Sequence, residues 1–133
     1  MTPKELAVQY TIGLWNDKNM SLIYKYLDKD VILYGPNMGN ITGYKAMENA
    51  LYTWVEAFPD IMDTIVHVIC EGEYVSVHYK ATGTHKGTFM GMRPTNKRIT
   101  WEGIVIYRIK NEKIIEITSY NNMSKVTDQL GRK

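Results

Sequence analysis

The side chains best suited to chemistry lie on segments with strand-like alternation. Glu102 and Arg108 are six residues apart and share a face by parity, with Ile104 and Ile106 between them. Two charges around an apolar middle suit a pocket with a polar rim, because charges enter a core only with partners. At the strand ends the same two side chains can instead reach water or each other. His78 shares its face with Ser76 and Lys80. If that face is the inner one, His78 is a proton carrier near neutral pH. If Val75, Val77 and Tyr79 turn inward instead, His78 lies in solvent or at a subunit interface. Farther on, Glu116, Thr118, Tyr120 and Asn122 share one parity, and Ile115, Ile117, Ser119 and Asn121 the other. Glu116 and Tyr120 can ionise or donate, whereas Asn122 can only hydrogen-bond.

Other chemistries lack their patterns. There is no phosphate-binding glycine loop, no His-Glu-x-x-His, no nucleophile elbow and no EF-hand loop. Gly83 to Gly91 is glycine-rich but lacks the Lys and Ser/Thr that would follow in a phosphate loop. His67, His78 and His85 have no zinc-ligand spacing. The single cysteine, Cys70, excludes an internal disulfide and a cysteine-built metal site. Its apolar neighbours predict an inert, buried thiol.

The elements that must position these residues follow from capping and periodicity. Thr2, Pro3 and Glu5 form the start of a helix, with a capping box and proline in the first turn. Leu6, Tyr10 and Leu14 continue it as an apolar stripe, with Ala7 and Trp15 beside them. After a polar break at 16–19, Leu22 to Leu27 reads as a short second helix. Val31 to Tyr34 reads as a brief strand that ends in turns at Gly35-Pro36-Asn37 and Gly39-Asn40. Gly43 to Phe58 is a third helix, with Met47, Leu51, Trp54, Val55 and Phe58 on one face, and Pro59 stops it. From there the period changes to two. Strands are expected at Ile61–Cys70, Tyr74–Thr84, Ile99–Ile109 and Lys113–Asn121, separated by Glu71-Gly72, a bent glycine segment with the Pro94–Lys97 turn, and Asn111-Glu112. The tail after Met123 reads as polar and loosely held.

Helices followed by a meander of antiparallel strands indicate an α+β domain, with helices on one face of the sheet. In the Trp101–Ile109 strand neither parity is cleanly polar, so both faces are expected to be covered. Helices cover one face and a second copy the other, which predicts a homodimer through the outer face.

A chain of 133 residues is one domain's worth of sequence. With 44% apolar and 23% charged residues, its balance is globular. Ten Tyr and three Trp against two Phe fit a lined cavity or an interface. A formal charge of +2, with basic residues scattered apart from Arg93, Lys97, Arg98 and the Arg132-Lys133 tail, predicts no nucleic-acid partner. No signal-peptide pattern and no long apolar stretch is visible, so a cytoplasmic location without membrane contact is the expectation.

An ordered set of segments spans nearly the whole chain. It comprises Phe58-Pro59-Asp60, Gly83-Thr84-His85-Lys86-Gly87, Gly91-Met92-Arg93-Pro94-Thr95, Lys113-Ile114-Ile115-Glu116 and Gln129-Leu130-Gly131. The set resembles the SnoaL-like polyketide cyclases of the nuclear-transport-factor-2-like (cystatin-like) superfamily. The resemblance implies one domain over 1–133, a curved, mostly antiparallel sheet wrapped around N-terminal helices as a cone with a pocket, and pairing through the convex face. It also implies an intramolecular aldol ring closure driven by a pocket carboxylate, without metal or organic cofactor. The substrate would be a small apolar or aromatic molecule carrying a carbonyl or carboxylate. The walls are expected from Trp15, Tyr34, Trp54, Phe58 and Trp101, with His85, Met90, Thr118 and Tyr120 also lining the pocket.

The family's catalytic aspartate position falls on Asn122 and its partner histidine on Arg108. An amide cannot serve as a general base, and Arg108 favours an anionic or enolate oxygen instead. The expected site is therefore His78, Glu102, Arg108 and Asn122, with His78, Glu102 or His85 replacing the lost base. A rearranged hydrolase, lyase or isomerase site, a binding domain without chemistry and a partner-binding role stay open.

Overall fold

The computed structural model describes residues 1–35 and 39–131. The chain begins with helix α1 (Pro3–Trp15) and helix α2 (Ser21–Tyr26), followed by strands β1 (Leu27–Gly35) and β2 (Gly39–Thr42) and helix α3 (Gly43–Ala57). Strands β3 (Met62–Glu71), β4 (Tyr74–Thr84), β5 (Arg98–Lys110) and β6 (Lys113–Asn121) come next, and helix α4 (Met123–Gln129) closes the order. Thr2 and Glu5 form the capping box on α1: Glu5 N donates to Thr2 Oγ1 at 3.1 Å, and Thr2 N donates to Glu5 Oε1 at 2.9 Å. Pro59 ends α3, with Phe58 as its C-cap.

All six strands form one curved sheet in the order β2-β1-β6-β5-β4-β3. Every neighbouring pair is antiparallel except β1 and β6, which run parallel. Register shifts fall between Ile65 and His67, between Arg108 and Ile109, and between Leu27 and Ile32. Such irregularities bend strands and increase their twist. They let the long strands fold around the helices instead of lying flat.

The concave face carries the core. One cluster joins Leu6, Tyr10 and Leu14 of α1 to Val75, Val77, Tyr107 and Ile117 of the sheet. A second joins Phe58, Ile61, Phe89, Trp101, Val126 and Leu130. Asp60 ties the start of β3 to the end of β4, because its carboxylate accepts from Thr84 N and Thr84 Oγ1, both at 2.7 Å.

Several elements differ from the sequence expectation. The brief strand at Val31–Tyr34 is a nine-residue strand that leaves α2 without a loop. Gly39-Asn40 is not a turn but the start of β2, whose pairing with β1 offsets weak local propensity. Pro36 and Asn37 lie outside the described residues, as do Arg132 and Lys133. The tail is α4, capped by Asn122 and anchored by buried Val126 and Leu130. Cys70 is exposed, because β3 is an edge strand and Cys70 sits beside the hairpin tip.

Gly87 is a point of close approach. Lys86 N and Gly87 N both donate to Ala57 O, at 2.9 and 3.2 Å, pinning the loop after β4 to the end of α3. A Cβ at Gly87 would lie 2.3 Å from the Glu56 carbonyl oxygen, which is backbone and cannot swing away. Gly87→Ala should therefore lower stability by about 1–3 kcal/mol, read as a lower urea midpoint with an unchanged slope.

Candidate active site

Strand register decides which side chains can meet a ligand. Val75, Val77, Tyr79 and Ala81 of β4 are buried against the helices, as are Trp101, Tyr107 and Ile109 of β5. The alternating residues therefore point to the convex side. His78, Glu102 and Arg108 belong to that set, so these sequence-derived candidates are corrected to the outer face. Asn122 is not in the cavity either. Its Oδ1 accepts from Lys125 N at 3.2 Å and from Ser124 Oγ at 3.1 Å, capping α4.

The outer candidates pair among themselves. His78 Nε2 lies 3.2 Å from Glu102 Oε2, and its Nδ1 lies 3.0 Å from His67 Nδ1, with the two imidazoles stacked. Arg108 donates to Glu73 at 2.6 Å and to Glu116 at 2.8 Å, well away from the cavity. Those two carboxylates hold its guanidinium even further above its ordinary pKa. His78, Glu102 and Asn122 do share an open depression on the convex face, together with Ile104 and Tyr120.

Inside the cone are two adjoining compartments, of about 110 and 70 Å³. Trp15, Trp54, Val105, Ser119 and Asn121 line both. The larger is closed by α1, α2, α3 and β1 through Tyr10, Leu14, Ile23, Leu33, Met47 and Leu51. The smaller adds Thr11, Ile61, Asp63, Tyr79 and Trp101. Trp15, Trp54 and Trp101 thus stand in the walls, and Trp54 and Trp101 stack at 5.4 Å.

The other expected wall residues lie elsewhere. Phe58 is fully buried behind Trp54 and Trp101. His85 packs on Phe58, and its Nδ1 accepts from Thr95 N at 3.2 Å. Burial lowers the His85 pKa. Tyr34 pairs with Thr118 in register, and both alternate with the cavity residues Leu33, Gly35, Ile117 and Ser119, so they point outward. Tyr120 is 57% exposed and Met90 60% exposed.

Asp63 is the ionisable group that sequence reading missed. Only 7% of it is exposed. It occupies an apolar parity, Ile61-x-Asp63-x-Ile65, and a carboxylate at such a place was the available signal. Its backbone is fixed by Asn16: Asp63 N donates to Asn16 Oδ1 at 2.7 Å, and Asn16 Nδ2 donates to Asp63 O at 3.0 Å. Nearby Lys18 donates to the carbonyls of Trp15 and Ile61. Burial raises the Asp63 pKa to about 7, against the opposing pull of the Lys18 ammonium. Asp63 is thus poised to exchange a proton near neutral pH.

Two polar partners lie in the same compartment. Tyr79 and Asn121 share a hydrogen bond, while burial holds the Tyr79 phenol well above its ordinary pKa. Gly103 makes room for this pair, since a Cβ there would lie 2.7 Å from Tyr79 Oη and 3.0 Å from Asn121 Cβ. Asn121, not Asn122, is thus the amide at the end of β6 that faces the cavity. Among the described residues, no three His, Cys, Asp or Glu side chains converge on a possible metal position. No helix among them is long and apolar enough to cross a membrane.

The profile of the SnoaL-like polyketide cyclase family matches residues 5–130. Among solved structures, the chain is similar to AclR, a candidate hydroxylase from Streptomyces galilaeus. That match has 26% identity and a TM-score of 0.89 and covers 98% of this chain and 85% of the other. A candidate SnoaL-like polyketide cyclase from Jannaschia sp. CCS1 matches at 14% identity and TM-score 0.87, covering 100% and 96%. IdmH, a candidate polyketide cyclase from Streptomyces antibioticus, matches at 18% identity and TM-score 0.85, covering 99% and 100%. No match is found among the curated proteins.

The raised pKa of Asp63 has a thermodynamic consequence. Below its ordinary value of 3.8, both folded and unfolded chains carry the proton, and the group costs nothing. Between that value and about 7 the unfolded chain ionises while the folded one holds its proton, so stability falls with rising pH and then levels off. Asp63→Asn keeps the shape of the protonated acid. It should be as stable as the parent near pH 4 and more stable by about 4 kcal/mol near pH 8, as converted from the pKa shift. Urea unfolding at both pH values checks this.

Proposed function

Because the chain belongs to the SnoaL-like polyketide cyclase family, a family of small-molecule enzymes and binding proteins, we propose that its internal cavity performs proton transfer on a small carbonyl compound, with Asp63 as the base. The observation that carries this reading is a carboxyl group in an aromatic-walled cavity with a pKa near 7. Ionised, Asp63 removes a proton from a carbon next to a carbonyl. The electron pair left on that carbon delocalises as an enolate, whose oxygen can be met by the Tyr79 hydroxyl or the Asn121 amide. The enolate carbon then attacks a second carbonyl of the same molecule, forming the ring C–C bond. The resulting alkoxide takes back the proton from Asp63. No atom is lost, and the carboxylate is regenerated. The tryptophan walls fold the substrate and exclude water.

The reading replaces the family's carboxylate at the end of the last strand with one at the start of β3. Asn121 then acts as a hydrogen-bonding group and not as the base. The same amide favours a second reading, in which the cavity binds a small molecule without chemistry.

Hydrogen–deuterium exchange separates the two readings. With small 1,3-diketones in D₂O, the protein should accelerate exchange of the acidic C–H above buffer, and Asp63→Asn should lose roughly 10²–10⁴ of that acceleration. The rate should rise with pH through about 7, as Asp63 ionises. Binding of the diketones without exchange by the parent protein would favour the binding reading.

We also propose that the convex face pairs with a second copy. Arg108 is paired within the face with Glu73 and Glu116, and His78 hydrogen-bonds Glu102. The same face exposes Ile69, Ile104, Ile106 and Tyr120, and Tyr74, whose ring lies under the Arg108 guanidinium. A face of this kind suits a two-fold contact, in which each patch meets its own copy. Ile104→Glu should turn a dimer into a monomer in sedimentation at low micromolar protein, while leaving the folded state intact.

A further inference from the structure

We propose that His67 and His78 on the convex face together bind a divalent transition-metal ion, copper(II) or nickel(II), with Glu102 orienting His78 from behind. The inference goes beyond the internal cavity and does not depend on the proton chemistry assigned to Asp63.

The two histidines are eleven residues apart, a separation that carries no metal-ligand pattern. The β3–β4 hairpin brings them together, because the register places His67 directly opposite His78. His67 is exposed and His78 half-buried. Their Nδ1 atoms lie 3.0 Å apart. β3 is an edge strand, so the pair sits at the border of the convex face.

Hydrogen-bond chemistry assigns the protons. An ionised carboxylate can only accept. The 3.2 Å contact between Glu102 Oε2 and His78 Nε2 therefore needs the hydrogen on Nε2. A neutral His78 then has its lone pair on Nδ1, and the hydrogen between the two rings belongs to His67 Nδ1. A histidine that donates one ring nitrogen to a carboxylate and turns the other outward is presented as a metal ligand. On binding, the hydrogen of His67 Nδ1 moves through water to its own Nε2. Two lone pairs then face one ion, both imidazoles bind neutral, and no proton is lost overall.

The separation of the nitrogens points to the ion. Metal–nitrogen bonds of about 2.0–2.1 Å put two ligands at right angles roughly 2.8–3.0 Å apart, and two tetrahedral ligands roughly 3.3–3.4 Å apart. The observed 3.0 Å fits the right angle, which tetragonal copper(II) and nickel(II) supply. The rings are stacked, 11° from parallel, so His67 must tilt about χ2 to aim its lone pair, and its exposure gives it room. Two protein ligands meet here, not three, so water fills the remaining positions. Such a surface site exchanges its ion, unlike a closed structural site.

Titration of copper(II), nickel(II) and magnesium separately into the parent protein at pH 8, in a non-coordinating buffer and followed by calorimetry, tests this. One ion should bind per chain, copper more tightly than nickel, and magnesium should not bind. Glu102→Ala should weaken binding about tenfold, as for loss of an outer-shell partner, and His67→Ala or His78→Ala should weaken it more. Cys70→Ser should bind as the parent does. Electron paramagnetic resonance of the copper form should show coupling to two imidazole nitrogens in the parent and to one in His67→Ala. Urea midpoints of the variants should stay near that of the parent, which separates loss of ligand from loss of fold. No saturable binding, unchanged affinity in His67→Ala or His78→Ala, loss of binding in Cys70→Ser, or coupling to a single imidazole in the parent would each overturn the site. Unchanged affinity in Glu102→Ala would overturn the orienting role of that carboxylate.

Discussion

The Asn16 side chain exchanges two hydrogen bonds with the backbone of Asp63, and much of the site depends on that clamp. It joins the C-terminal end of α1 to the first turn of residues in the sheet, at the point where helical and strand halves of the chain meet. Once the Asp63 backbone is fixed, alternation along β3 and pairing with Ala81 decide that its carboxyl faces the helices. Lys18 reinforces the same junction by donating to carbonyls on both sides of it, those of Trp15 and Ile61. The junction thus uses backbone and amide groups for strength, and leaves the carboxyl itself in an environment that disfavours its charge.

That arrangement explains how one domain supports opposite demands. A core is stable when its polar groups are satisfied, yet a reactive acid works best when its proton is loosely committed. Here the two demands are separated in space. Val75, Val77 and Tyr107 of the inner face pack against α1, and the Tyr107 hydroxyl is paired with Thr11. Around Asp63, Trp54 and Asn121 the helices stand off from the sheet, and space is left open. Gly103 helps to keep that space, because any side chain there would run into Tyr79 and Asn121.

Much of this was legible from residue order, and the failures have identifiable physical causes. The capping box, the stop at Pro59 and the four long strands follow local rules, and each appears where those rules place it. Parity grouped His78 apart from Val77 and Tyr79, and Glu102 with Arg108, as the register does. Parity alone has no sign, however. Which group faces the helices depends on tertiary packing, and the outer face of β5 carries Ile104 and Ile106, which disguise it as an inner one. β2 and α4 went unread for a related reason. β2 exists through its pairing with β1, and α4 through the burial of Val126 and Leu130 against the Trp101 cluster. Asp63 was overlooked because a lone carboxylate in a β-branched run reads as the polar half of an alternation, although its partners Ile61 and Ile65 show that it sits on the apolar half.

The extra residue at Val66 separates the two ends of β3. Before it, the odd-numbered Asp63 and Ile65 face the helices; after it, the even-numbered Val68 does, and His67 turns outward against His78. The hairpin tip and the acid are therefore on independent phases of the same strand. Deleting Val66 would leave His67 opposite His78 and Ile69 opposite Ser76, both still on the outer face, and would remove only the bend. The extra residue thus sets the curvature of β3 at this point, independently of the face on which the hairpin tip presents its side chains.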